Sequence, residues 1–388
     1  MKKTILIIII LIVIGIAVLL TIGPAKVDNA KNPVKSHKAY AISAEAQKLH
    51  DSLVVGDWHA DSLLWSRNLS KRNDIGHVDI PRLQEGNVGL QMFTVVTKSP
   101  SSKNYSHTEA DGSGDDITKL ALAQRWPVAT WNSLTARAIH QSEKLHGFEK
   151  NNLDDLVIIK SKVDLSAWKK RRNSTPKLIG ALLGTEGSHA LDGDLQNIQA
   201  LFDHGFRMMS LQHFFDNKLG GSLHGASRSG LTDFGKQSVT KMNQLNIIID
   251  VSHSSEQVVE DVLNISDKPL VISHTGFKGH CDTNRNISDS LMKKVALNGG
   301  LIAIGYWDAA ACGVDPKDIA SAIGYGIHLV GENHVALGSD FDGSVLTALD
   351  TSELAAITQA LLDDGISEEQ IRKVMGGNML QFLERWLP

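Results

Sequence analysis

VVGDWHADSLLW, residues 54–65, closes an apolar run with Asp57, His59 and Asp61 at i, i+2 and i+4. In a strand those three side chains point the same way. A strand that fills a core has no use for three polar groups on one face, because each must be desolvated. The face is therefore read as the floor of a site.

Seven further apolar runs follow the first, "LVVGDWH" (53–59). They are "GLQMFTVV" (89–96), "LIGALLGTE" (178–186), "RMMSLQH" (207–213), "IIIDVSH" (247–253), "LVISH" (270–274), "LIAIGYW" (301–307) and "VALGSD" (335–340). Helix-like stretches lie between them. One, 117–145, carries Pro127 and reads as two helices or a kinked one. Others run over 197–205, 231–246 with a Thr232 cap, 254–264, 352–365 and 367–387. Strands alternating with helices give a parallel sheet, and eight such units close an α/β (β/α)8 TIM barrel over residues 45–388. The polar stretch 97–116 reads as a loop.

Lys2 and Lys3 precede an uncharged apolar run, residues 5–23. A run of about 20 apolar residues spans a bilayer as a helix. A cleaved signal usually has a core of roughly 7–15. Residues 1–23 are thus expected to be a single transmembrane anchor, with signal cleavage after Ala25 as the alternative. The two lysines place the barrel outside the cytoplasm. Residues 24–44 read as an irregular linker. A net charge of −4 with no basic cluster gives no nucleic-acid footprint. The two cysteines, Cys281 and Cys312, exclude a disulfide-rich scaffold, and their pairing cannot be read from sequence.

Six of the eight runs end in His, Asp or Glu: His59 with Asp61, Glu186, His213, His253, His274 and Asp340. That end of a barrel carries the active site. Singly, each histidine reads as a satisfied structural group; recurring at six strand ends, they read as metal ligands. Four histidines and three acids exceed one tetrahedral zinc, so two metals sharing a carboxylate use them better. Asp57 and Asp342 are expected to orient neighbours rather than bind metal. His189 is a candidate for the same supporting role. His77, His107, His140, His146, His224, His280 and His328 are expected to be structural or on the surface.

The motifs "DWHAD", "TEGSHAL", "LQHFFDN", "IIDVSHSS", "ISHTG", "NRNISD" and "GSDFDG" occur in an order that resembles the membrane dipeptidases, the renal dipeptidase-like peptidase family M19. The resemblance covers about residues 45–388. It implies a barrel of the metal-dependent hydrolase type holding two Zn2+. His59 and Asp61 would hold one, His253 and His274 the other, and Glu186 would bridge them. His213 would contact the substrate and its tetrahedral intermediate, Arg285 would bind the substrate carboxylate, and Asp340 would move protons. It further implies hydrolysis of dipeptides by a metal-bridging hydroxide, including dipeptides with a C-terminal D-residue, and a possible homodimer. Ser188 replaces a glycine common in the family. Two other readings stand beside this one: a barrel metallohydrolase of esters, lactones or β-lactams, and a non-catalytic membrane-tethered binding protein.

Overall fold

The computed structural model describes residues 2–109 and 114–388, without the side chains of 2–3, 6, 8–14 and 16–19. Its centre is a sheet of nine strands: β1 (Val55–Ala60), β2 (Val88–Val96), β3 (Leu156–Ile158), β4 (Ile179–Glu186), β5 (Phe206–Ser210), β6 (Ile248–Asp250), β7 (Val271–Thr275), β8 (Leu301–Ile304) and β9 (Val335–Leu337). All pairings are parallel, and β1–β9 and β2–β4 contacts close eight strands into a barrel. Each expected run supplies one of the eight.

β3 was not foreseen. It has no counterpart among the eight runs. β2 pairs with β4 from Leu90–Gly180 to Val96–Glu186, so β3 shares the other edge of β4 with β5. Four strands stop earlier than their apolar runs, β8 at Ile304 among them. β5, β6 and β9 end at Ser210, Asp250 and Leu337, leaving His213, His253 and Asp340 three residues further on, in loops.

The end of the barrel away from these loops is shut by the C-terminal helix Asn378–Trp386. Met379, Phe382, Leu383 and Leu387 pack with Trp58, Val271, Leu301 and Ala336. Close approach is permitted by a π-turn over Lys373–Gly377. A Cβ on Gly376 would lie 1.9 Å from the Val54 carbonyl oxygen. Pro127 separates helix Asp116–Ala123 from a 3-10 turn and helix Leu134–Asn151, as the ring's missing N–H requires.

The N-terminal backbone is one helix, α1 (Lys2–Lys31). The expected transmembrane run, 5–23, falls largely on side chains outside the described residues. Among the described residues no helix is long and apolar enough to cross a membrane. Residues 24–31, expected to be irregular, continue the helix and dock on the barrel. Asp28 is buried and accepts from Arg67 Nε at 2.8 Å and from Asn32 Nδ2 at 2.8 Å. Beyond the helix, Val34 bridges to Thr347 and Tyr40 donates to the Ala348 carbonyl. A buried acid needs such partners, and they fix the segment in place.

Candidate metal centre

His59, Asp61, Glu186, His213, His253, His274 and Asp340 are all buried and converge at the C-terminal mouth of the barrel. Glu186 lies at the middle. Its Oε1 is 3.2 Å from His253 Nε2, 3.4 Å from His274 Nε2 and 3.7 Å from His59 Nε2, and its Oε2 is 3.4 Å from His213 Nε2. His59 Nε2 is also 3.6 Å from Asp61 and 3.9 Å from Asp340. Three overlapping sets offer ligand atoms within 4.8 Å of one another: His59–Asp61–Glu186, Glu186–His213–His253 and His59–His274–Asp340. The first is the trio expected for one metal. For the second metal the geometry adds His213 beside His253, and places Asp340 beside His59 and His274.

The backbone delivers these groups under strain. His253 and Asp340 take positive φ, 59° and 60°. A non-glycine residue there costs on the order of 1–3 kcal/mol, and such residues collect at functional sites.

Hydrogen bonds at the far ring nitrogens decide what the imidazoles present to the centre. Ser273 Oγ is 2.9 Å from His59 Nδ1, 3.1 Å from His274 Nδ1 and 2.7 Å from Asp250 Oδ2. A hydroxyl has one hydrogen and two lone pairs. The hydrogen goes to the carboxylate, so the lone pairs accept Nδ1–H from both imidazoles. His253 Nδ1 is 3.0 Å from His224 Nε2, and His224 Nδ1 is 3.2 Å from the Tyr105 carbonyl oxygen. That carbonyl can only accept, so His224 donates from Nδ1 and accepts from His253 with Nε2. Burial, then Arg285, pushes His224 down to about 3, which keeps it neutral.

His59, His253 and His274 therefore turn Nε2 lone pairs toward Glu186. His253 and His274 bring theirs within 2.8 Å of each other, and buried His59 Nε2 has no hydrogen-bond partner among the described residues. Three lone pairs facing three carboxylates is a donor set that fits divalent cations. Without a cation, protons stand in. Burial opposes a charge on His59, but Asp61, Glu186 and Asp340 outweigh it and hold His59 up to about 10. Burial raises Glu186, and Asp61 adds to the shift. Ser273→Ala should weaken metal binding by roughly 10–100-fold, the usual worth of a ligand-orienting partner. A chelator-competition titration measures it, and unchanged affinity would show that the tautomers are set elsewhere.

His224 and Ser273 were missed in the sequence. His224, structural or on the surface by sequence, is buried and hydrogen-bonds the candidate ligand His253. His189 stands behind His213, ring centroids 6.4 Å apart, and among the described residues bonds to no ligand. Asp57 accepts from Ser339 N at 2.8 Å and Ser339 Oγ at 2.7 Å, next to Asp340. Asp342 instead anchors structure, accepting from Ser62 Oγ and His77 N and pairing with Arg67 at 2.7 Å. Ser188, which replaces a glycine common in the family, donates to the Ser210 carbonyl.

Arg285 is fully buried beside this cluster. Its Nη2 donates to the His274 carbonyl at 2.6 Å, and its guanidinium lies 5.2 Å from the Trp307 ring centroid. Nε has no hydrogen-bond partner among the described residues. Arg285 lines a 210 Å³ cavity with Tyr105, Phe214, His253, Glu186 and Asp340. Tyr105 comes from the 97–116 loop and accepts from Trp307 Nε1 at 3.0 Å. The Arg285 loop is fastened to the loop after β8 by a Cys281–Cys312 disulfide, the pairing the sequence left open. Asn286 Nδ2 adds bonds to the Cys281 and Ala310 carbonyls.

Residues 43–386 match the family described as membrane dipeptidase, peptidase family M19. The chain belongs to that family. By class it is a metal-dependent dipeptidase. It is 28% identical over 354 residues to the dipeptidase aclJ of Aspergillus oryzae, covering 84% of this chain and 76% of that one. The dipeptidase verJ of Clonostachys rogersoniana is 26% identical over 317 residues, 80% of this chain and 76% of that one. A metallopeptidase from Rhodobacter sphaeroides, solved with a phosphinate mimic of the dipeptide L-Ala-D-Ala, superposes with a TM-score of 0.68 at 22% identity, covering 86% of this chain and 99% of the other. The probable dipeptidase PvdM of Pseudomonas aeruginosa gives 0.71 at 19%, covering 88% and 98%.

Proposed function

We propose that the chain hydrolyses dipeptides with two zinc ions, Glu186 lying between them. The observation that carries this is the convergence of three imidazole Nε2 lone pairs on a carboxylate flanked by Asp61 and Asp340. When bound, such a metal pair lowers the pKa of water and polarises the carbonyl. His59, Asp61, His253 and His274 would hold the ions, and His213, 3.4 Å from Glu186, would stabilise the developing oxyanion. Arg285 takes the free C-terminal carboxylate with the donors that its protein contacts leave over.

Asp340 moves the proton from the attacking water to the leaving amine. Burial first, then Asp61, raises it to about 7 against the pull of His59 and Arg285. That value is for the metal-free site, and cations beside Asp340 would lower it; what suits Asp340 to the step is its buried place at the centre, 3.9 Å from His59 Nε2. Asp340→Asn should keep the metals and lose roughly 10²–10⁴ in kcat. If the variant loses metal and keeps turnover per loaded site, Asp340 is a ligand. The L-Ala-D-Ala mimic held by the Rhodobacter sphaeroides relative supports acceptance of a C-terminal D-residue, which a panel of L,L- and L,D-dipeptides tests directly.

We further propose that residues 5–23 are a membrane anchor, with signal cleavage after Ala25 as the alternative, and that the barrel lies outside the cytoplasm. Lys2, Lys3 and the run itself support it, as does the Cys281–Cys312 disulfide, a bond that persists in oxidising compartments. A C-terminal reporter active only in the cytoplasm would refute it.

A further inference from the structure

A second cavity, 470 Å³, opens from the same centre. It shares Glu186, His213 and Lys103 with the Arg285 cavity but has Asp61 on its wall and not Arg285. Its sides are mainly apolar, with Leu64, Trp65 and Val96 from the barrel, Ile117 and Leu120 from helix Asp116–Ala123, and Val27 from α1, while Lys31, Asp116 and Lys119 also line it. Val27 is 45% exposed, an apolar side chain at the edge of open space. The α1 wall lies outside the family match at residues 43–386. It is a built wall, pinned by the buried Asp28–Arg67 pair and by Ser344 N donating to Asn32 Oδ1 at 2.9 Å.

We infer that this cavity receives the side chain of the substrate's N-terminal residue, and that α1 thereby selects dipeptides whose N-terminal residue is large and apolar. The inference rests on the dipeptidase reading. With the C-terminal carboxylate on Arg285 and the scissile carbonyl at Glu186 and His213, the chain of the substrate continues away from Arg285. The direction left to it is past Asp61 into the larger cavity. An alanyl side chain leaves that space to water: 470 Å³ holds about 15 molecules at roughly 30 Å³ each. A phenylalanyl or leucyl side chain displaces them from apolar walls, which is favourable. A cavity of this size lies in the range that holds ligands well beyond a methyl group.

The test compares kcat/KM for Phe-Ala, Ala-Phe and Ala-Ala on the full-length, metal-loaded enzyme. Phe-Ala is expected to exceed Ala-Ala by roughly 10–100-fold, the discrimination an apolar pocket provides. Val27→Trp, which fills the cavity from its exposed edge, should cut the Phe-Ala to Ala-Ala ratio at least about tenfold. Val27→Ser should lower it less. The Ala-Phe to Ala-Ala ratio should not move in either variant. An unmoved Phe-Ala ratio, or a wild type with no preference for Phe-Ala, overturns the cavity assignment and leaves the dipeptidase reading standing. Loss of the Ala-Phe ratio instead would assign the cavity to the C-terminal residue. A metal-loaded wild type that cleaves none of the three overturns both.

Discussion

Glu186→Gln is expected to empty both halves of the metal centre. Glu186 Oε1 is within 3.7 Å of Nε2 on His59, His253 and His274, so its charge is shared by ligands on both sides. Glutamine keeps the shape and one oxygen but removes the charge that offsets two cations. Of the neighbouring acids, Asp61 reaches His59 and hence one side only, and Asp340, beside His59 and His274, is the one other acid near both. Elemental analysis of the purified variant should show both ions lost and turnover gone with them. One ion retained at full occupancy would make Glu186 an ordinary ligand of a single metal. An unchanged count would remove it from the centre altogether. The same cluster predicts the direction of pH dependence. In the metal-free protein the proton on His59 persists up to about pH 10, held by Asp61, Glu186 and Asp340 against burial. A metal displaces that proton, so metal affinity should rise with pH and each binding event should release protons into unbuffered solution.

Arg285→Ala and Arg285→Lys should both cripple dipeptide hydrolysis while the metal content stays unchanged. The guanidinium is fully buried, and its contacts with the His274 carbonyl and Trp307 fix its plane. A planar fork can offer a carboxylate two parallel hydrogen bonds, which the point charge of lysine cannot reproduce. Losing one partner of such a buried pair costs about 2–5 kcal/mol in kcat/KM, or roughly 30- to several-thousand-fold. Amidating the C-terminus of the dipeptide should harm the wild type by a similar factor and harm Arg285→Ala little further. A wild type that cleaves amides, longer peptides or simple esters as well as free dipeptides would defeat the assignment. It would move the chain to the ester, lactone or β-lactam alternative. Because Arg285 also bonds the His274 backbone, the metal count in each variant separates lost substrate binding from a disturbed ligand.

The parts of this protein legible in its sequence are those written in local pattern. Eight apolar runs became eight barrel strands because each run is long enough to carry its own signal. His59, Asp61, Glu186 and His274 could be placed because strand alternation and the strand's end are properties of neighbouring residues. His213, His253 and Asp340 came along because they follow their strands within three residues.

Tertiary structure alone decided the rest. Ser273 sets the tautomer of His59 from 214 residues away, and His224 does so for His253 from 29 residues away. An imidazole's free lone pair depends on what meets its other nitrogen, and nothing in the neighbouring sequence states what that will be. The Cys281–Cys312 pairing, the docking of α1 through Asp28 and Arg67, and the apolar cavity behind Asp61 are likewise meetings between distant segments. Residues 24–31 read as linker because their polar side chains look solvated one by one. They are ordered because burial gives Asp28 an arginine to pair with, an exchange that exists only once the barrel has closed.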